Sequence, residues 1–195
     1  MNNLADIVVA DPPWRFSSNS VAKPGRNAMR HYSCMRDDEI AALDVPAKPD
    51  ALLFMWTTAP MLARSLPVVD AWGFKYVSQI VWVKSRIIMG FWVRSQHEIV
   101  LVCRRGTGVP RPIKYDAKGN PCLDKNGRVI RLAPFKTSII TAPQREHSRK
   151  PEALQDRIDE VWPDAAKLEM FARRARPGWT VWGNQTDKFE RVAVK

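Results

Sequence analysis

The chain has 195 residues and a formal net charge of +11 at neutral pH, and its length suits one domain, residues 1–195, with a sizeable core. No apolar run approaches the length of a membrane-spanning helix, the first residues lack the pattern of a signal peptide, and the three cysteines are too widely spaced for a disulfide framework or a metal cluster. These features exclude a membrane-spanning or disulfide-rich class and indicate a protein of the reducing cytoplasm.

The positive charge is concentrated between residues 104 and 150, where 12 Lys or Arg face 3 Asp or Glu, a net +9. A basic block of this size indicates a polyanionic partner such as nucleic acid. A merely solvated surface is the alternative. Proline, glycine and aromatic residues are interleaved with the charges, however, so the block does not look like one face of a helix.

The first predicted element is a buried strand over residues 7–10, because this apolar run is rich in β-branched residues and too short for a helix. It leads into Asp11-Pro12-Pro13-Trp14. The prolines stiffen the backbone and have no N–H to donate, so we expect free carbonyl acceptors beside a carboxylate and an aromatic ring. This combination suits a planar ligand with an exocyclic amine, such as adenine, although an Asp-Pro-Pro sequence can also be an ordinary turn.

Strands and helices alternate along most of the remaining chain. Residues 15–32 are polar and predict a long loop, and residues 33–43 a short helix. The other predicted elements are strands over residues 51–56, 75–84, 99–103, 136–141, 167–171 and 179–182, and helices from Thr57 or Thr58 to Trp72 and over residues 150–161. The alternation predicts an α/β fold with a doubly wound, mostly parallel sheet. Ligands bind beyond the carboxyl ends of the strands in such sheets, which is where Asp11 stands.

Residues 110–134 interrupt this alternation and predict an inserted basic β-hairpin. Gly119-Asn120 and Asp124-Lys125-Asn126-Gly127 are favourable turn sequences between short extended segments. We expect the insertion to project from the sheet and not to contribute to its core.

Several polar and aromatic residues have two interpretations by sequence alone. We expect Trp56, Trp82 and Trp92 to be core or loop anchors and not base-stacking groups. His97 and Glu98, at the start of a strand, fit structural pairing and substrate contact equally well. Lys150 could be only a cation at a helix start, and Asn184-Gln185 an ordinary turn.

An ordered series of motifs resembles one family along nearly the whole chain, namely the permuted adenine-N6 methyltransferases that use S-adenosylmethionine. That family includes the catalytic subunit of the mRNA adenosine methyltransferase and small bacterial and phage proteins. The matching segments are Asp11-Pro12-Pro13-Trp14 with Ala10 before it, residues 32–40, 54–57, 72–74, 80–84, 90–92, 97–98, 145–152 and 168–173, and Gly183-Asn184-Gln185. Each segment is weakly specific alone, whereas the ordered series is specific. The resemblance implies a Rossmann-like methyltransferase fold.

The resemblance also implies roles for individual residues. Asp11 and the carbonyls of Pro12 and Pro13 would hold the adenine amine, and Trp14 would help to hold the base. Around S-adenosylmethionine the implied residues are Asp11, Lys150 at the methionine carboxylate, Phe171, and Glu169, Arg173, Asn184 and Gln185 around the ribose and adenine. At the substrate the implied residues are Tyr32, His97, Glu98, Arg145 and His147. No metal is implied.

The leading hypothesis is methyl transfer by in-line displacement to the 6-amino group of adenine in DNA, with RNA as the alternative polymer. A catalytically inactive nucleic-acid-binding subunit is a third possibility, disfavoured by the intact Asp11-Pro12-Pro13-Trp14. Methylation of a glutamine or cytosine amine is a fourth. The chain departs from the mRNA enzyme in a shorter segment after Arg173 and in starting at the catalytic strand, so the cofactor contacts made there are not carried over. The sequence does not indicate an oligomeric state.

Overall fold

A computed structural model of the chain describes residues 4–15, 34–88, 90, 92–145, 149–184 and 186. Its strands are β1 (Ala5–Ala10), β2 (Ala47–Thr57), β3 (Lys75–Ile88), β4 (Ser95–Arg105), β5 (Ile139–Thr141), β6 (Lys167–Met170) and β7 (Trp179–Trp182). Its α-helices are α1 (Asp37–Ala41), α2 (Leu62–Ala71), which follows a 3-10 turn at Ala59–Met61, and α3 (Ala153–Val161). Within the described ranges, no helix has the length and apolar character needed to cross a bilayer.

The strands form one seven-stranded sheet in the order β5-β3-β4-β2-β1-β6-β7. β4 runs antiparallel to its neighbours β2 and β3, and the other neighbouring pairs are parallel. The predicted mostly parallel α/β sheet is therefore confirmed. After β1 the chain builds one half of the sheet and then crosses to β6 on the other side of β1, so the strand order reverses between β1 and β6. Such a reversal opens a crevice beyond the carboxyl ends of the two strands.

Helices cover both faces of the sheet, which explains why β1 reads as a continuous apolar run. Along β1, successive side chains point to opposite faces. Val8 and Ala10 pack with α1 and α2, whereas Ile7 and Val9 pack with α3. Among the residues buried on the first face are Ile40, Leu53, Val68, Trp72 and Leu101, and on the second Phe54, Val100, Leu154 and Ile158.

Helix α2 ends where the sequence predicted. Gly73 adopts φ +74, its N–H donates to the Asp70 carbonyl, and the Phe74 N–H donates to the Val69 carbonyl. This is a Schellman arrangement, which favours glycine at the left-handed position. At the other end Thr58 occupies the capping position before Pro60, but its side chain makes no capping hydrogen bond.

Some element boundaries differ from the sequence predictions. The first helix is shorter than residues 33–43 and spans only Asp37–Ala41. Strands β3 and β4 are longer than predicted, because their paired ends extend beyond the core. The apolar pattern in the sequence ends where the side chains are no longer buried. The backbone hydrogen bonds between the two strands continue beyond that point.

The insertion contains two successive turns where the sequence predicted one hairpin. Asp116 Oδ1 accepts the N–H groups of Lys118 and Asn120, and Asp124 Oδ1 accepts those of Asn126 and Arg128 in the same way. Isolated bridges join Tyr115 with Pro121, Leu123 with Val129, and Ile113 with Arg131. No residue between 111 and 134 is buried, so the insertion projects from the core as expected.

Candidate active site

The carboxyl ends of β1 and β6 bring two segments of the candidate site together. Ala10 and Met170 are partners in the parallel ladder, and the Asp11 N–H donates to the Met170 carbonyl over 3.4 Å. Asp11 and Phe171 therefore leave their strands side by side, at the reversal of strand order. The segment before α3 reaches the same edge, since Lys150 contacts Asp11 directly.

Asp11 stands between two cations. Lys150 Nζ lies 2.9 Å from Asp11 Oδ1, which is the length of a charge-assisted hydrogen bond. Arg173 Nη2 lies 3.7 Å from Asp11 Oδ2, too far for a hydrogen bond but close enough for attraction. The two oxygens of Asp11 are therefore in different environments.

The Asp11–Lys150 pair continues into a buried chain of alternating charges. Lys150 Nζ also lies 3.3 Å from Glu98 Oε2, and Lys84 pairs with the other oxygen of Glu98. The Lys150 ammonium is 5.7 Å from the centre of the Trp56 ring, within the range of a cation–π contact. The chain of charges links the residue after β1 and residues of β3 and β4 with the segment before α3.

This environment keeps Lys150 and Glu98 charged. Burial alone would lower the pKa of Lys150, but the negative charges of Asp11 and Glu98 outweigh it and raise the pKa to about 12. Burial alone would raise the pKa of Glu98, but Lys150 and Lys84 outweigh it and hold the pKa below its ordinary value. Of the two interpretations of Glu98, structural pairing is observed, with two lysines. His97, next to it on the strand, points to the other face.

The Pro12-Pro13 turn is held more firmly than the sequence suggested. The Pro12 carbonyl accepts the Trp14 N–H over 2.8 Å, and the Pro13 carbonyl accepts the Met35 N–H over 2.9 Å. The expectation that these carbonyls are free was wrong, because the Trp14 N–H occupies Pro12 locally and the chain returns at Met35 to pair with Pro13. Each carbonyl still has a second lone pair for a ligand donor.

The residue after the signature is also fixed. Arg64 donates to the Arg15 carbonyl while pairing through two nitrogens with Asp37. The contact ties the end of the turn to both α1 and α2. Residues 16–33, including most of the predicted loop and Tyr32, lie outside the described residues.

The side chain of Trp14 is buried and holds the turn in place. Its side chain is only 4% exposed, and its indole N–H donates to the Trp56 carbonyl over 3.2 Å. Trp14 therefore anchors the Asp11-Pro12-Pro13-Trp14 segment to β2. A role in stacking on the base stays a prediction.

The sequence predictions for three other tryptophans were confirmed at two positions and wrong at the third. Trp56 and Trp82 are buried, which confirms them as core residues. The prediction for Trp92 was wrong, since its side chain is 99% exposed. It lies beyond the end of β3, where no core remains to cover it.

Glu169 occupies the β6 side of the cleft. Gln155 Nε2 donates to Glu169 Oε1 over 3.3 Å. Burial, reinforced by the negative charge of Asp11, raises the pKa of Glu169 to about 7. A carboxyl group that titrates near neutrality in a cleft is a common mark of a functional site.

The backbone after β6 is strained. Phe171 adopts φ +62, a conformation uncommon for residues other than glycine and often found at ligand sites. Its ring contacts the edge of Trp182 with centroids 5.1 Å apart. A Cβ at Gly183 would lie 2.6 Å from the Ala172 carbonyl oxygen, so only glycine fits there.

A cluster of arginines surrounds Glu152 at the entrance of the cleft. Arg145, Arg149 and Arg174 each lie 2.9–3.2 Å from Glu152 Oε1. Arg145 also donates to the Lys150 carbonyl. Arg145, which the sequence predicted to bind substrate, thus supports the segment before α3. Its substrate role stays a prediction.

The cleft brings together some of the predicted site residues and adds others. Its lining comprises Asp11, Trp56, Arg149, Lys150, Glu152, Gln155, Glu169, Phe171, Arg173, Arg174 and Arg176. Sequence reasoning missed Arg149, Glu152, Gln155, Arg174 and Arg176, and it predicted Trp56 as a core or loop anchor and not as a cleft residue. The sequence indicated the missed residues only weakly. Some are polar residues at or near the start of a predicted helix, and the others follow directly after the predicted strand that contains Glu169.

The structure does not bring every predicted site residue to the cleft. Asn184 follows β7, is exposed, and is not among the lining residues. Gln185 and His147 lie outside the described residues.

The chemistry of the cleft fits S-adenosylmethionine. The space within the cleft, including the part that is open to solvent, is about 590 Å³. Lys150 and Arg173 offer cations for a carboxylate, Glu169 offers acceptors for hydroxyl groups, and Phe171 offers an apolar surface. A ligand that carries both signs of charge suits a lining that alternates in sign.

Glu169→Gln should flatten the pH dependence of stability. Because the pKa of Glu169 is raised from 4.5 to about 7, between these values the folded state holds a proton that the unfolded chain has lost. The wild-type free energy of unfolding should therefore fall as the pH rises through this window, and this contribution should stay level above it. Urea denaturation at several pH values measures the difference. Glu160→Gln, at an exposed position, is the control that should retain the fall. A fall of equal size in Glu169→Gln would contradict the assignment.

Comparisons with known proteins agree with this geometry. The family model described as MT-A70 matches residues 5–185. The chain is 34% identical over 190 residues to an N(6)-adenosine-methyltransferase MT-A70-like protein of Arabidopsis thaliana, covering 92% of this chain and 23% of the relative. It is 30% identical over 192 residues to the N(6)-adenosine-methyltransferase catalytic subunit METTL3 of Homo sapiens, covering 93% of this chain and 28% of the relative.

A shorter relative is matched over most of its own length. The type II methyltransferase M.MunI of Mycoplasma sp. is 30% identical over 195 residues, covering 91% of this chain and 76% of the relative. The chain spans only about a quarter of the plant and human relatives. These matches confirm the resemblance of the ordered motifs, and the chain belongs to the MT-A70 family.

Proposed function

We propose that the protein transfers a methyl group from S-adenosylmethionine to the 6-amino group of adenine in DNA. The observation that carries the proposal is the Asp11 carboxylate, held by Lys150 beside a rigid turn and opening into the cleft. Family membership supports the chemistry. DNA is favoured over RNA because one relative, matched over 76% of its own length, is a type II methyltransferase.

When bound, S-adenosylmethionine supplies an electrophilic methyl group. Lys150 and Arg173 would hold its carboxylate end, and Glu169 would accept hydrogen bonds from hydroxyl groups of its ribose. Phe171, Asn184 and Gln185 stay proposed cofactor contacts on the strength of the family motifs. Asp11 would lie between cofactor and base.

Asp11 would prepare the adenine amine for reaction. The lone pair of an aromatic amine is delocalised into the ring, which makes the nitrogen a poor nucleophile. Accepting one N–H at Asp11 and the other at a turn carbonyl would favour a pyramidal nitrogen with its lone pair exposed. Lys150 occupies Asp11 Oδ1, whereas Arg173 lies beyond hydrogen-bonding distance of Oδ2, so Oδ2 is the oxygen that would accept the amine.

Alignment would supply most of the remaining rate enhancement. Holding a nucleophile and an electrophile in line can contribute several kcal/mol, and the rigid turn suits that task. As the nitrogen gains a methyl group it becomes positively charged, and the negative charge of Asp11 would favour that change. The nitrogen's proton becomes acidic only then and would pass to Asp11 or to water, so no strong base is needed.

Product analysis tests the proposal. The protein is incubated with labelled S-adenosylmethionine and with single- or double-stranded DNA or RNA, and the digested nucleosides are identified by mass spectrometry. N6-methyldeoxyadenosine is the expected product. Methylated adenosine from RNA alone would overturn the choice of DNA, and no methylated adenine in any arm would overturn the proposed chemistry.

Asp11→Ala should abolish methyl transfer while leaving cofactor affinity largely unchanged. Removing one group that stabilises developing charge typically costs about 10²- to 10³-fold in rate. Initial rates with labelled cofactor and calorimetry of cofactor binding measure both effects. Asp50→Ala removes a carboxylate that bonds Thr107, away from the cleft, and should keep full activity. Turnover of Asp11→Ala close to that of wild type would contradict the role.

Deleting residues 114–131 should weaken DNA binding without preventing folding. The deleted segment carries five Lys or Arg and two Asp, none of its residues is buried, and the bridge between Ile113 and Arg131 brings the ends together. The insertion is attached near the end of α3, where Trp162 donates to the Pro110 carbonyl, whereas the cleft lies at the start of that helix.

The measurement is the dependence of log K on log salt concentration, whose slope should become shallower by about 0.7–0.9 for each phosphate that the shortened protein no longer neutralises. Circular dichroism and cofactor binding are the controls for folding. An unchanged slope and affinity would show that the insertion does not contact the nucleic acid.

A further inference from the structure

The β3–β4 hairpin continues past the sheet at the edge that carries the candidate active site. β3 and β4 pair from Lys75–Arg104 to Ile88–Ser95. Lys84 and Glu98, which belong to the buried charge chain, lie where the hairpin leaves the core. The described residues between Lys84 and Glu98 therefore project from the same edge as Asp11. We call residues 85–88, 90 and 92–94 the hairpin tip.

The hairpin tip exposes large apolar side chains. Trp92 is 99% exposed, Val93 78% and Ile87 65%. A group of exposed apolar residues on a folded domain commonly marks an interaction site. A Cβ at Gly90 would collide with the Val93 carbonyl, so glycine permits the close turn that leaves Trp92 exposed.

The charge around the hairpin tip indicates what it binds. Residues 85–97 contain no Asp or Glu, and Arg86 and Arg94 flank the apolar residues on the two strands. An apolar tip on a positively charged stem fits a polyanion that also offers flat apolar surfaces. Nucleic acid has both properties, since its phosphates attract the arginines and its bases stack on aromatic rings.

We propose that Trp92 is a nucleic-acid contact that stacks on a base beside the target adenine. An adenine in a duplex must leave the stack to reach a cleft, at a cost of a few kcal/mol. Apolar side chains inserted between base steps are a known way to open a duplex. Projecting from the active-site edge, Trp92 is suited to fill the gap beside the extruded base. The inference rests on the proposed function and adds the group that holds the duplex open.

The test compares three substitutions of Trp92 for binding to a short duplex DNA of mixed sequence. Loss of one base–aromatic stack corresponds to roughly 5- to 150-fold weaker affinity, so we expect a loss of that size for Trp92→Ala in fluorescence anisotropy. Trp92→Phe retains an aromatic face and should bind close to wild type. Trp92→Leu retains apolar bulk without that face and should resemble Trp92→Ala. Tyr76→Ala is the matched control, since Tyr76 is 46% exposed at the opposite end of β3.

Two further measurements establish whether a weaker affinity comes from the missing stack. Cofactor binding should be unchanged in all variants, which establishes that they are folded. Sedimentation velocity of the variants without DNA tests whether the tip instead contacts a second protein chain, in which case the oligomeric state would change and the leucine variant would behave like wild type.

Duplex affinity of Trp92→Ala equal to wild type would overturn the inference, as would a change of oligomeric state that accounts for the loss. These outcomes are distinct from failure of the proposed function. If wild type methylates adenine but Trp92→Ala binds duplex normally, only the stacking role is wrong. If wild type methylates no nucleic acid, the proposed function fails, whereas the binding comparison still reports on the tip.

Discussion

The position of the Lys150 ammonium between the carboxylates of Asp11 and Glu98 is the interaction on which the site depends. Burying such charges is favourable only when each has a partner, because desolvation costs several kcal/mol per ion. Asp11 follows β1, Glu98 comes from the antiparallel strand β4, and Lys150 precedes α3, the helix that covers one face of the sheet. The ion pairs therefore connect these elements, and the removal of one partner would leave a buried charge with only part of its compensation.

The same interaction would allow a cleft lined by carboxylates to receive the proposed cofactor and base. Lys150 holds one oxygen of Asp11, and the backbone of the Pro12-Pro13 turn is held at Met35. A ligand therefore meets acceptors that are already oriented, and little reorganisation is needed on binding. The strained backbone at Phe171 and the raised pKa of Glu169 lie on the other side of the cleft. Unfavourable features of this kind persist where the surrounding fold enforces them, and here they gather at the reversal of strand order.

The sequence was sufficient for the features that local pattern determines. The apolar run before Asp11, the alternation of strands and helices, and the glycine that ends α2 each predicted an observed element. It was insufficient where long-range packing decides. The occupied carbonyl of Pro13 depends on the return of the chain at Met35. Glu152 is contacted by three arginines from different segments of the chain, namely Arg145, Arg149 and Arg174. The pattern of apolar residues in the sequence does not indicate that these segments meet. Trp92 looked like a core or loop anchor because tryptophan usually is one, and only the length of the hairpin leaves it exposed. The carboxyl-end placement of Asp11 was predictable, whereas its partners across the sheet were not.

The most direct test of the account is a crystal structure of the protein with S-adenosylhomocysteine and a short adenine-containing oligonucleotide. The account predicts that the adenine 6-amino nitrogen lies about 2.7–3.2 Å from Asp11 Oδ2, within hydrogen-bonding distance, while Lys150 stays on Oδ1. The second hydrogen of the amine should point to a carbonyl of the Pro12-Pro13 turn. An adenine bound away from Asp11, or an Asp11 engaged only with Lys150 and Arg173 while the base occupies the cleft, would contradict it.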